Sequence, residues 1–266
     1  MPREFRVRRE QVLPATPEQV WNAVATGEGN LGWLYPMEIE PRVGGTVSRG
    51  QATVVEWAPS RRLACRSDGE NGFSNTLDYT VEAQGDTGTR LSMGIHWVHP
   101  GSPDDGWDTR ADAAERHFDF YRHSLAEYLR HFAGRPARYV KAVRPDPAAP
   151  GALTAVCERL GMTGPVRAGD TVKIVLPHQA GAAVGSPVGS AVGPPAGAPA
   201  EAVVEAVVDR FDAGFLGLRT GDALYRFFDG SPWDWPLWLG HHLYAPDVDP
   251  EDATRAWDEW LTEVAP

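Results

Sequence analysis

The chain has 266 residues, which at ~150 residues per domain is enough for about two domains. A composition of 42% hydrophobic, 10% aromatic and 23% charged residues supports ordinary buried cores and excludes a disordered chain. Twenty-five basic against 36 acidic residues leave a formal charge of −11, which opposes docking on a nucleic-acid backbone or an anionic membrane. No apolar run approaches the ~18 residues of a membrane span, and MPREFRVRRE lacks a signal-peptide core. Two cysteines, Cys65 and Cys157, cannot staple a secreted scaffold and sit in core-like patterns. A cytoplasmic protein without nucleic-acid or membrane partners is therefore expected. Lys141 and Lys173 are the only lysines, an arginine bias that fits a GC-rich bacterial genome and carries no mechanism.

In chain order, 5–13 reads as a strand ended by Pro14. Thr16-Pro17-Glu18-Gln19 opens a helix, with Thr16 as N-cap, Pro17 at the first helical position and Gln19 completing a capping box. Val20, Trp21 and Val24 give it an apolar side, Gly27 ends it, and a short helical piece with Leu31, Trp33 and Leu34 follows. The runs 46–57, 61–67, 73–82 and 88–98, joined by turn-rich segments, form an antiparallel meander. Over 104–132, Ala111, Ala114, Phe118, Tyr121, Leu125, Tyr128 and Phe132 recur at spacings of three and four, the pattern of a helix with one buried face. Gly134 and Pro136 stop it.

The second half repeats the first. Arg42–Val47 matches Arg167–Val172 at an offset of 125 residues, and Val54-Val-Glu56 with Leu63 matches Val207-Val-Asp209 with Leu216 at 153. His96 and Pro100 match His242 and Pro246 at 146. The jump between the first two offsets falls across the Gly/Ala/Pro-rich stretch 179–200, read as a flexible insert with little to bury. The expected organisation is a domain over 1–135, a linker over 136–151 and a second, degenerate domain over 152–266 with a shorter final helix at 251–264.

A strand, two short helices, a meander and a long final helix make an α+β helix-grip, an antiparallel sheet wrapped around a C-terminal helix, here in two tandem copies. The chain resembles the SRPBCC or START-like superfamily in its heat-shock-ATPase-activator-homologue (AHSA) branch. The resemblance rests on Thr16-Pro-Glu-Gln-Val-Trp21, Leu31-Gly-Trp33, Val43-Gly-Gly45, Val55-Glu56 with Pro59 and Arg62-Leu63, Thr89-Arg90-Leu91, and the terminal helix. It covers residues 5–132 and implies a cavity for a small apolar or amphipathic molecule between helix and sheet; the superfamily has no universal catalytic residue to carry over.

Gly27-Glu-Gly-Asn-Leu-Gly32 fits G-x-G-x-x-G but follows a helix instead of a strand, so it does not mark a dinucleotide site, and no cofactor is expected. Adjacent strand residues His241 and His242 point to opposite faces, as do His96 and His99, so no metal site is expected. The acidic clusters Asp104, Asp105, Asp108 and Asp247, Asp249, Glu251, Asp252 precede helices, where the macrodipole favours carboxylates without calcium.

Alternation along 73–82 and 91–97 points Asn75, Tyr79, Met93 and Trp97 towards the helix stripe that carries His117 and Tyr121. With Trp33, these are the expected ligand-binding residues, in a cavity with mostly aromatic walls and few polar groups. Three functions stay open: binding of a small hydrophobic or aromatic ligand as carrier or sensor, a cyclase- or hydrolase-like enzyme using a His/Tyr acid–base pair, and a chaperone-linked interaction module. For the enzyme, His117 with Tyr121 or Tyr79 is the acid–base pair to consider, and Glu56 the one carboxylate beside them. Trp233, Trp235 and Trp238, next to Phe227 and Phe228, are expected to plug the second grip from inside with Trp257 and Trp260, or else to offer an apolar patch to a protein partner.

Overall fold

The structure, a computed structural model, describes residues 2–69, 72–85, 88–101, 106–177 and 202–264. It divides into two units, Met1–Arg135 and Pro136–Pro266. The stretch 179–200, expected as a flexible insert, and Asp104 and Asp105 lie outside the described residues. No helix among the described residues is long and apolar enough to cross a membrane.

In the first unit, β1 (Arg3–Leu13) leads into α1 (Pro17–Ala25) and α2 (Gly27–Leu31). The capping box forms as the spacing requires: the Gln19 amide donates to the Thr16 hydroxyl at 3.2 Å, and the Gln19 side chain accepts from the Thr16 amide at 2.9 Å. The three glycines of 27–32 serve packing, because a Cβ on Gly27, Gly29 or Gly32 would run into the Glu38 carboxylate, the Asn22 carbonyl or the Tyr128 ring. Then come β2 (Thr46–Val47), β3 (Ala52–Ala58), β4 (Arg62–Asp68), β5 (Ser74–Gln84), β6 (Gly88–His99) and α3 (Trp107–His131). The strands form one antiparallel sheet in the order β1-β6-β5-β4-β3-β2. Arg9 reaches from β1 to Glu115 and Asp119 of α3, tying the helix to the inner face of the sheet.

Alternation sorts the two faces of the sheet as the sequence predicts. Asn75, Leu77, Tyr79 and Val81 oppose Trp97, Ile95, Met93 and Leu91 on the inner face. On the outer face Arg8 bonds Asp78 at 2.6 Å and Ser92 at 2.9 Å, and the pair meets above Gly94, where a Cβ would clash.

The second unit repeats this order. It contains β7 (Arg138–Pro147), α4 (Ala152–Arg159), β8 (Thr171–Leu176), β9 (Ala202–Asp212), β10 (Phe215–Arg219), β11 (Ala223–Phe228), β12 (Pro236–Leu243) and α5 (Pro250–Val264). The sheet runs β7-β12-β11-β10-β9-β8, the same topology as the first. The segment 136–151 is therefore not the expected linker: most of it is β7, an edge strand paired with β12 over Arg138↔Leu243 to Pro147↔Pro236. Its prolines, Pro145 and Pro147, suggested a connector, but an edge strand tolerates residues that donate no hydrogen bond. Asp249 caps α5 by accepting from the amides of Glu251 and Asp252, so that acidic cluster belongs to the helix start.

The internal repeat holds with one correction. The Gly44 and Gly45 amides donate to Val54 and Arg42 as those of Gly169 and Asp170 donate to Val208 and Arg167, and Val54 opposes Cys65 as Val208 opposes Leu218. Val54 thus corresponds to Val208, not Val207. Both third strands carry a bulge at the same place, at Val55 and at Asp209. The shift comes from the turn that follows, with three residues between Ala58 and Arg62 but two between Asp212 and Phe215, and a shift of one residue exchanges the faces of the strand.

The tryptophans also differ from expectation. Phe227 faces α5, with Trp257 and Trp260 both at 5.9 Å, so those two do fill the grip. Phe228 points the other way and stacks on Trp238 at 3.5 Å and 4°, while Phe215 packs on Phe228 and Trp233. Trp233 in turn meets Trp235 at 6.0 Å. Trp233, Trp235 and Trp238 therefore gather on the sheet's opposite face and do not plug the grip, because the odd–even register separates neighbours 227 and 228.

Candidate functional site

In the first grip, β5 and β6 place Asn75 and Trp97 directly opposite each other on the inner face. The Trp97 ring packs against Phe5 at 5.2 Å, Phe73 at 5.9 Å and Trp107 of α3 at 6.1 Å. Its Nε1–H is buried without an acceptor, and the Oδ1 of the opposed Asn75 is buried without a donor. An unsatisfied buried donor or acceptor costs about 1–3 kcal/mol, so such a pair needs a reason.

The second unit supplies an internal comparison. Hydrogen-bonded register carries Asn75 onto Ala223 and Trp97 onto Leu243, which oppose each other in the same place. The fold is thus built equally well with two apolar residues there. A polar pair at these two positions is particular to the first unit; the second grip has its own buried groups without partners elsewhere, the Tyr225 hydroxyl and the His241 Nε2.

Two rungs along the same strands, Tyr79 and Met93 oppose each other and are 1% and 2% exposed. Burial pushes the Tyr79 hydroxyl well above its ordinary pKa, with Tyr35, Cys65 and Asp78 adding to the effect, so it stays a neutral phenol. From α3, His117 donates its Nδ1–H to the Ala113 carbonyl at 2.7 Å, which leaves Nε2 as the acceptor of a neutral ring. Burial lowers its pKa, so it stays neutral at pH 7. Tyr121, one turn on, meets the ring of Tyr35 edge-on at 5.8 Å and 89°.

Trp33 is placed differently. It is 1% exposed and its indole N–H donates to the Ala23 carbonyl at 2.8 Å, so ring and donor are both used to hold α1 against the turn after α2. Glu56, considered beside the His/Tyr pair, lies on the outer face bonded to Arg62 at 2.7 Å; the bulge at Val55 turns it outward. The acid–base reading loses its carboxylate. Sequence reasoning passed over Tyr35 and Arg49, whose guanidinium lies 3.4 Å over the Tyr35 ring. Both stand outside the regular strands and helices, where periodicity gives no signal.

The second grip is closed by aromatic rings. Trp257 touches Tyr225 at 5.7 Å, Phe227 at 5.9 Å, His241 at 4.3 Å and Trp260 at 5.2 Å. His241 is fully buried; its Nδ1 accepts from the Arg226 amide at 3.0 Å, which places its proton on Nε2. Burial first, then His242 and Arg226, hold its pKa well below the ordinary value.

That depression has a sign. The unfolded chain takes up a proton at this histidine near pH ~6.5 while the folded chain does not, so the stability is complete above that pH. It falls as the pH drops further, by up to ~1.4 kcal/mol per pH unit until the folded pKa is reached. His117 acts in the same direction. Denaturation midpoints are expected to fall from pH 7 to pH 5, and His241→Asn, which keeps an acceptor for the Arg226 amide, should flatten the slope. A midpoint unchanged over that range would show that His241 is not held neutral.

No family model matches the chain, and no curated protein matches it. Solved structures do. The DynU16 crystal structure, of a putative protein in the dynemicin biosynthetic locus, matches with a TM-score of 0.40 and 15% identity over 98% of this chain and 95% of its own. Protein MLL2253 from Mesorhizobium loti matches with a TM-score of 0.39 and 19% identity over 48% of this chain and 98% of its own. CalU16 from Micromonospora echinospora matches with a TM-score of 0.37 and 17% identity over 48% of this chain and 84% of its own.

Proposed function

We propose that the first unit holds a small apolar or aromatic molecule between its sheet and α3, as a carrier or sensor, and that the second unit is a structural copy. The observation that carries this reading is the Asn75–Trp97 pair: on opposed residues, a donor and an acceptor that are each buried without a partner, where the second unit has alanine and leucine. A ligand group that accepts from the indole N–H and donates to the amide oxygen, such as a hydroxyl or a secondary amide, would satisfy both, and the rings around Trp97 would cover its apolar body. Membership of the SRPBCC or START-like superfamily, in its AHSA branch, belongs to the same proposal. The helix-grip order and the Thr16 capping box support it.

Asn75→Leu tests the reading. It removes an unsatisfied acceptor and adds apolar contact, so the free protein should gain about 1–3 kcal/mol in denaturant unfolding. The same variant should lose the ligand. Native mass spectrometry of freshly purified protein and a thermal-shift screen of hydrophobic compounds provide the second readout, since free ligand at 100 times its Kd adds about 2.7 kcal/mol. A destabilised Asn75→Leu protein that binds as the unmodified one does would place the site elsewhere.

A further inference from the structure

The rim of the same grip carries a cation. Arg49 is exposed on the turn between β2 and β3, its guanidinium 3.4 Å over the half-buried ring of Tyr35, and it makes no ion pair with a carboxylate among the described residues. The turn holds it there at some expense, because Gly50 (φ 68°) and Gln51 (φ 51°) are both left-handed, and Gln51 is one of three non-glycine residues of positive φ among those described. Tyr35 leads inward: its ring meets Tyr121 of α3, and it lies near enough to Tyr79 to act on that hydroxyl. Ring contacts thus run from the exposed cation through Tyr35 to Tyr121 of α3. From Tyr79, β5 continues four residues to Asn75, about 13 Å at ~3.3 Å per residue.

We infer that Arg49 recognises a carboxylate, and that the ligand of the first grip is an elongated aromatic or aliphatic acid with its anionic end at Arg49 and its body directed towards Asn75 and Trp97. This rests on the ligand-binding reading above. Three features support the assignment. A guanidinium matches a carboxylate with two parallel N–H donors, and a ring beneath it fixes its plane. Arg49 is exposed and has no carboxylate partner among the described residues, so its charge is uncompensated locally, although the net charge of −11 works against an anion at long range. Burial keeps Tyr35 and Tyr79 as neutral phenols, which donate hydrogen bonds and do not repel an anion.

The test uses the full chain and matched probes: 2-naphthoic and dodecanoic acids against their methyl esters, by calorimetry at pH 7.5. The unmodified protein should prefer each acid by about tenfold or more, a preference that weakens as salt rises. Arg49→Gln should erase that preference while ester affinity stays unchanged, and Arg49→Lys should restore only part of it. Arg49 is exposed, so the melting temperature of both variants should stay within a degree or two of the unmodified protein. Equal binding of acid and ester by the unmodified protein, or an equal loss of both in Arg49→Gln, overturns the assignment and leaves the ligand site standing. Binding of neither probe class, with Asn75→Leu no more stable than the unmodified protein, overturns both.

Discussion

Trp257→Ala is expected to destabilise the second unit by ~3–5 kcal/mol, the usual range for deleting a buried tryptophan. The reason is its place. Trp257 is fully buried in contact with Tyr225, Phe227, His241 and Trp260, so truncation removes transfer free energy and also leaves a cavity lined by rings too large to close over it. Guanidinium-chloride unfolding followed by far-ultraviolet circular dichroism would measure it. Trp235→Ala is the control: Trp235 is half-buried on the other face of the sheet, and its loss should be less than half as large. A Trp257→Ala loss below ~1.5 kcal/mol would mean that the grip repacks and is not closed by this ring.

A second large effect is expected at a buried ion pair. Asp209 and Arg226 meet at 3.0 Å with side chains 3% and 1% exposed, above Gly217, where a Cβ would run into the Asp209 carboxylate. Arg226 also donates to the Tyr225 carbonyl at 3.1 Å. Asp209→Ala leaves a guanidinium buried without its counter-charge and should cost ~3–5 kcal/mol. Replacing both, with Asp209→Leu and Arg226→Met, removes the desolvation penalty together with the attraction and should come out between neutral and a gain of about 1–4 kcal/mol. If the double replacement loses as much as the single one, the pair contributes through its hydrogen bonds and not through charge compensation. The comparable pair of the first unit, Arg8 with Asp78, has an arginine that is half exposed, so solvent screens it and Asp78→Ala should cost far less.

Much of this architecture could be read from residue order. Thr16, Pro17 and Gln19 specify a helix start through local bonds, and those bonds form. Alternation along 73–82 and 91–97 assigned Asn75, Tyr79, Met93 and Trp97 to one face, and hydrogen-bonded register brings them together as two opposed pairs. The separation of His241 from His242 follows from the same rule: one meets Trp257 in the core, the other meets Tyr139 on the far face. Where the reading failed, a single residue or a non-local partner was responsible. A turn one residue shorter before Phe215 than before Arg62 shifted the repeat by one position. Two prolines disguised β7, whose strand character depends on β12 almost a hundred residues later. Trp238 was grouped with Trp257 because both are aromatic, although the register sends them to opposite faces.

Residue spacing settles local choices: the start of α1, the inward and outward sides of the strands at 73–82 and 91–97, and the duplication that makes two grips from one chain. Those depend on spacing, and spacing is written in the chain. Which polar groups find partners depends on the folded chain. Asn75 and Trp33 both looked like pocket residues; Trp33 donates to Ala23 and belongs to the core, while Asn75 opposes Trp97 and neither is satisfied. Arg49 looked like one arginine among many until the turn at Gly50 and Gln51 laid it over Tyr35. The physical reason is that periodicity assigns a side chain to a face, whereas hydrogen bonds and ion pairs act within about 3–4 Å between residues far apart in the chain, a precision that only the folded backbone provides.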